Sequence, residues 1–233
     1  STITTTNLAA CENDTTILMI EPDSFAVEFT TSSNEICFND PVTLDFDFNQ
    51  GGVAPFTINY TVNTSPQSNG PINNNGATSI PIAPTVGNTI YIITSISDSE
   101  GCVNQNIISS QSIDVNPLPD IDIAVGPDSI CVGDNATLLF SVPNGTEPYT
   151  VDYFSGGTAE TEIMDDAGAS VLISPTNTTN YSLSFVTDSK GCKSNLTDDV
   201  TLVVNEIPQV TLTAPTEICK NEIMYLKFDF TAG

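Results

Sequence analysis

Arginine, histidine and tryptophan are absent from this sequence, and the first basic side chain is Lys190. Each absence closes a class of function. With no cation over residues 1–189 and a formal net charge of −25, nothing can displace counterions from nucleic-acid phosphates. Anionic lipid is excluded by the same logic. Without histidine no Ser-His-Asp or Cys-His pair can form, and no Cys-x-x-Cys pair makes up for it as a zinc site. With no tryptophan and six tyrosines, no aromatic platform for carbohydrate stands out. No apolar run approaches the ~18 residues of a membrane span. The chain starts at Ser1 rather than Met and shows no signal-peptide pattern, so it is read as a mature product or a piece of one. The surplus of acid is read as solubility and self-repulsion.

What is present is a repeat. Tyr91-Ile-Ile-Thr-Ser-Ile-Ser-Asp-Ser-Glu-Gly-Cys102 returns ninety residues later as Tyr181-Ser-Leu-Ser-Phe-Val-Thr-Asp-Ser-Lys-Gly-Cys192. Tyr, Asp, Ser, Gly and Cys coincide without a gap. In the second copy Tyr181, Leu183 and Phe185 alternate with serines, the period-2 pattern of a half-buried strand. The first copy alternates less cleanly, because Ser95 falls where Phe185 does. Asp-Ser-x-Gly then supplies turn chemistry.

The six cysteines index the rest of the chain. Cys11, Cys102 and Cys192 lie 91 and 90 residues apart, and Cys37, Cys131 and Cys219 lie 94 and 88 apart. Their even number and wide spacing favour disulfides in an oxidising compartment. Residues 1–21, with a strand over 16–20, are expected to be the last strand of a truncated preceding repeat. Residues 22–116 form one repeat, with strands expected over 26–29, 42–48, 56–60, 79–82, the Tyr91 segment and 107–115. A turn is expected over 35–41 and a loose polar stretch over 63–76. Residues 117–205 repeat this order, with strands over 119–125, 137–142, 149–153, 170–174, the Tyr181 segment and 200–204. Pro148 and Tyr153 match Pro55 and Tyr60. Residues 206–233 are expected to hold the first strands of a truncated following repeat, over 209–214 and 223–230, with Cys219 in the matching turn. Neither end can bury its own face alone. Seven short strands in about 90 residues argue for an all-β chain of tandem immunoglobulin-like antiparallel β-sandwiches. Proline-bearing junctions imply that they run end to end.

Two disulfide patterns are open: bridges within each copy, or a staple between copies. In the expected topology Cys37 and Cys131 lie just before the second strand, at the end where the chain leaves. Cys102 and Cys192 lie after the sixth, where it enters. A strand of six to eight residues spans roughly 20–27 Å, and bridged Cα atoms lie within about 7 Å. The staple Cys37–Cys192 is therefore expected. It would leave Cys102 to pair upstream of Ser1, and Cys131 and Cys219 beyond Gly233. Its 155-residue loop contributes about 5 kcal/mol in the chain-entropy model.

No catalytic, cofactor or metal residues are assigned. Asp45 and Asp47 alternate with Leu44, Phe46 and Phe48 and read as a solvated strand face. Glu21, Asp23, Asp114, Asp120 and Asp122 gather near junctions, a chemistry that suits calcium. No EF-hand-like or cadherin-like ligand string accompanies them. Asp165-Asp166 and Asp198-Asp199 are chain neighbours and do not converge on a substrate, as a two-carboxylate glycosidase requires. Eight Asn-x-Ser/Thr sequons mark exposed segments.

"Ile-Cys-x-Gly/Asn-Asp", "Gly-x-x-Pro-Tyr/Phe-Thr-Val/Ile-x-Tyr" and "Tyr-x-Leu/Ile-x-x-x-x-Asp-Ser-x-Gly-Cys" together resemble the tandem PKD-like/Ig-like repeats of Bacteroidetes cell-surface proteins. The nearest resemblance is to SprB-type gliding-motility adhesins. The Trp-Asp-Phe-Gly-Asp-Gly signature of PKD domains is missing. The resemblance implies type 9 secretion, tethering at the outer membrane and movement along the cell by the gliding machinery. It implies neighbouring repeats of the same chain as partners, and contact with an external surface or polysaccharide through other regions. It also implies O-glycosylation at Asp14-Thr15-Thr16 and Asp128-Ser129-Ile130. The chain then reads as a non-enzymatic structural segment of an adhesin filament. The rival reading is a spacer module in a secreted polysaccharide-degrading enzyme.

Overall fold

A computed structural model describes residues 25–107 and 109–231. The strand expected over 16–20, with Cys11, Glu21 and Asp23, lies outside the described residues. The chain divides into two compact units, Ser1–Val115 and Asn116–Gly233.

In the first unit the strands are β1 (Ala26–Thr31), β2 (Glu35–Cys37), β3 (Val42–Gln50), β4 (Phe56–Val62), β5 (Ser65–Ile72), β6 (Ala77–Ile82), β7 (Gly87–Ser97), β8 (Val103–Asn104) and β9 (Ser110–Asn116). They form a sheet of order β1-β3-β6 and another of order β2-β9-β7-β4-β5, with β8 beside β7. The second unit repeats this with β10 (Asp120–Gly126), β11 (Ser129–Cys131), β12 (Ala136–Asn144), β13 (Tyr149–Ser155), β14 (Thr158–Met164), β15 (Gly168–Ile173), β16 (Thr179–Thr187), β17 (Lys193–Asn195) and β18 (Asp199–Asn205). Its sheets are β10-β12-β15 and β11-β18-β16-β13-β14. Each unit is a β-sandwich of mainly antiparallel strands; in the second unit β11 pairs with β18 in parallel.

Alternation drives the core. Along β3, Val42, Leu44, Phe46 and Phe48 are buried while Thr43, Asp45 and Asp47 face outward. Burying each such apolar side chain contributes roughly 1.5–3 kcal/mol. Phe48 of one sheet stacks on Phe56 of the other, ring centroids 4.5 Å apart and planes within 4°. In the second unit Phe140 and Tyr153 meet across the sheets at 5.4 Å. Burial raises the phenol pKa values of Tyr91, Tyr149, Tyr153 and Tyr181 above 10.0; for Tyr149 the Glu147 and Asp188 charges add to it.

Four sequence expectations change. The loose stretch over 63–76 is largely β5, hairpinned onto β4; its counterpart β14 was likewise unmarked. The turn over 35–41 begins with the short strand β2. Among the described residues, nine strands lie over 25–116 and nine over 117–205, rather than seven in each, because these edges and the two-to-three-residue β8 and β17 carry no apolar alternation. Finally, Phe185 does not face the core. Asp152 pairs with Phe185 but Tyr153 pairs with Leu183, so Ser184 is an extra residue in β16. This bulge shifts the phase, and Val186 takes the buried place at 0% exposure. Phe185 lies on the outer face, with Lys193 Nζ 3.2 Å from its ring centroid. The first unit has the same bulge at Thr94, burying Ile96 and turning Ser95 outward. The Ser95–Phe185 mismatch thus concerns an outward position in both copies.

Beyond Asn205, β19 (Gln209–Thr213) and β20 (Lys227–Thr231) pair as a hairpin in the register of β10 and β12. Val210, Leu212, Phe228 and Phe230 are each more than half exposed on it. Their counterparts Ile121, Ile123, Phe140 and Val142 are buried under a second sheet.

Candidate functional site

The repeated motifs fold into two small devices, one at each end of a unit. The first is the Asp-Ser-x-Gly-Cys turn. In the second unit Asp188 is 5% exposed and accepts from three backbone amides. Oδ1 accepts from the amides of Lys190 (3.0 Å) and Cys192 (2.9 Å), and Oδ2 from that of Thr146 (3.1 Å). The Ser189 amide and hydroxyl both donate to the Thr146 carbonyl, at 3.0 and 3.1 Å. Asp98 does the same in the first unit, accepting from Glu100, Cys102 and Val53. Gly101 and Gly191 close the two turns at φ of +83° and +82°, a region open to glycine. The turn is therefore a clip that fastens the sixth long strand's end to the loop ahead of Pro55 or Pro148. In that loop Gly52 and Gly145 also have positive φ, and a Cβ would lie 2.8 Å from the Phe56 ring or 3.0 Å from Pro119. Those contacts explain the glycine in Gly-x-x-Pro.

The second device is the cysteine turn. Asp40 and Asp134 donate their amides to the carbonyls of Cys37 and Cys131, both at 3.0 Å, and Glu222 to that of Cys219 at 3.1 Å. The acid side chain reaches back to the cysteine amide in two of the three, Asp40 at 3.2 Å and Glu222 at 3.0 Å. Asn39, Gly133 and Asn221 occupy the one left-handed position, with φ of +72°, +96° and +74°. Cys-x-(Asn/Gly)-(Asp/Glu) is thus the local code for this turn.

Their placement follows from strand direction. Cys131 pairs with Asn205, where β18 ends. Cys192 sits beside Thr146 and the Gly145–Pro119 contact, at the opposite, leading end. Between them runs the length of β16, nine residues or roughly 27 Å. In the first unit the Asp114 amide donates to Asn34 just before β2, whereas the Cys102 clip reaches Val53 at the far end of the eleven-residue β7. Within-unit bridges Cys37–Cys102 and Cys131–Cys192 are excluded by these distances. Cys37 and Cys192 are each disulfide-bonded, while Cys102, Cys131 and Cys219 are free thiols.

The acids weighed for chemistry are dispersed. Asp45 accepts from Thr43 on the outer face of β3. Asp166 accepts from the Gly168 amide in a turn, and Asp199 from the Asn180 side chain. Among the described residues no three acids or cysteines gather as metal ligands. The sequence marked Asp98 and Asp188 only as turn formers. The signal for more was their fixed place four residues before cysteine in both copies. It likewise left unmarked that Lys190, Lys193 and Lys220, three of the chain's four cations, lie within two residues of a cysteine.

No protein-family model matches the chain, and no curated protein matches it in sequence. Among solved structures, it is similar to a 1.5-MDa bacterial ice-binding adhesin at 18% identity, covering 84% of this chain and 71% of that one, with a TM-score of 0.42. It is similar to fibronectin(III)-like modules of Clostridium thermocellum CbhA at 10% identity over 78% and 95%, TM-score 0.36. It is similar to the Yersinia pseudotuberculosis adhesin InvE at 11% identity over 76% and 60%, TM-score 0.28.

Proposed function

We propose that this chain is a structural, non-catalytic repeat segment of a long cell-surface adhesin, and that a Cys37–Cys192 disulfide clamps consecutive modules end to end. Residues 1–21 then close a preceding module, and residues 206–233 open a following one. The observation that carries the proposal is the opposed placement of the two devices: a cysteine turn at the trailing end of each unit and a clip cysteine at the leading end. The oxidised state of Cys37 and Cys192, and the apolar face left open on the β19–β20 hairpin, support it. Such a clamp restricts pivoting between modules, which suits a rod that holds an adhesive tip away from the cell. The motif resemblance to SprB-type repeats extends the proposal to a gliding-motility adhesin exported by the type 9 system and held at the outer membrane.

Peptide mapping without reduction is the test of the clamp. A linked Cys37–Cys192 peptide is expected; a linked Cys37–Cys102 or Cys131–Cys192 peptide overturns it. For location, antibody against the two units is expected to label unpermeabilised source cells. Signal confined to lysates defeats the surface assignment.

A further inference from the structure

The leading end of the first unit carries the counterpart of the Cys192 clip. Cys102 is only half-buried and lines a cleft of about 700 Å³ together with Phe25, Val53, Asp98, Glu100 and Val103. Its equivalent, Cys192, is disulfide-bonded and fully buried. The two clips differ in charge. Lys190 and Lys193 flank Cys192, whereas Glu100 and Val103 stand at the same places around Cys102. The cysteine turns differ too. Each turn has two flanking acids, Glu35 and Asp40 around Cys37, Asp128 and Asp134 around Cys131, and Glu217 and Glu222 around Cys219, but Cys219 is also followed directly by Lys220, which offsets one of them. Cys219 and Lys220 are both exposed, as is Glu100.

We propose that these charges form a pairing code, in which a cysteine turn with two acids and no lysine takes the lysine-flanked clip, and the less acidic, lysine-bearing turn takes the Glu100-flanked clip. The partner of the Cys102 cleft is then a turn of the Cys219-Lys220-Asn221-Glu222 kind, which a second copy of this chain can present. The code rests on the Cys37–Cys192 clamp proposed above. In a chain with four cations, their concentration at cysteines is what sets one junction apart from another. Placing like charges at a junction suppresses the wrong neighbour.

Thiol–disulfide exchange tests this with the full chain. An acceptor carrying Cys11→Ser, Cys131→Ser and Cys219→Ser holds Cys102 as its mixed disulfide with 5-thio-2-nitrobenzoate. A donor carrying Cys11→Ser and Cys102→Ser presents both Cys131 and Cys219. The donor thiolate attacks the Cys102 sulfur; the new S–S bond forms as thionitrobenzoate leaves with the electron pair, so no other oxidant is needed. Rates are normalised to each donor thiol's reaction with hydroxyethyl disulfide, and the products are mapped. The expected result is a preference of about threefold for Cys219 over Cys131 at low salt, the scale of one exposed ion pair, fading in 0.5 M salt. Glu100→Lys in the acceptor is expected to reverse it. Equal normalised rates, no response to Glu100→Lys, or no link to Cys102 overturns the code. Mapping the acceptor before mixing separates the two failures: a missing Cys37–Cys192 peptide defeats the clamp, an intact one with no preference defeats the code alone.

Discussion

A single carboxylate does much of the local work at each clip. Asp188 accepts from three backbone amides drawn from both its own turn and the Thr146 loop. Removing it leaves those donors without a partner beside the core, and hydrogen bonds to a charged acceptor are the stronger kind. Asp188→Ala is expected to destabilise the second unit by about 2–4 kcal/mol in urea unfolding, with Asp188→Asn, which keeps one acceptor oxygen, losing less. A loss under about 1 kcal/mol would show that the turn holds without its carboxylate. The buried tyrosines give a second residue-scale expectation. Their pKa values are raised in the fold by burial, so above pH 10 the unfolded chain ionises first. Their contribution is intact below that pH and is lost as pH rises through the folded values. Urea midpoints followed from pH 8 to 12 are expected to stay level on this account and then fall beyond pH 10. A midpoint unchanged at pH 12 contradicts it.

At the scale of the element, the bulges decide what could be read in advance. Strands with one buried face were legible: Leu44, Phe46 and Phe48 announce β3, and Leu138, Phe140 and Val142 announce β12. The edge strand β5, Ser-Pro-Gln-Ser-Asn-Gly-Pro-Ile, was not, because all but Asn69 and Ile72 are exposed and burial imposes no period on them. In β16 period two held through Leu183 and then failed, since one inserted residue inverts every later side chain. Substitution separates the two phases. Val186→Ala is expected to cost about 2 kcal/mol or more, and Phe185→Ser about 1 kcal/mol or less, since that ring loses only a partly exposed face and the Lys193 contact. The opposite ranking in thermal or urea unfolding restores the unbroken alternation. At the candidate site, strand direction alone told which end each cysteine occupies. The hydrogen bonding of the clips was not legible, because it joins residues more than forty positions apart.

At the scale of the whole molecule, each unit is bounded by devices that the other also carries, and a rule of assembly can therefore be stated from two examples. The parallel pairing of β11 with β18 has a mechanical consequence. Ser129, Ile130 and Cys131 run alongside Val203, Val204 and Asn205, the two strands being the first and last of that sheet's path through the unit. Tension on the chain's ends drags these strands along each other in opposite senses. Their hydrogen bonds then bear the load in shear, together, instead of opening one by one like a zipper. Val203→Pro deletes the amide that donates across to the Asp128 carbonyl, just before β11, at 3.0 Å, so force spectroscopy on this unit is expected to record rupture at lower force than in the parent. An unchanged rupture force would place the mechanical weak point elsewhere.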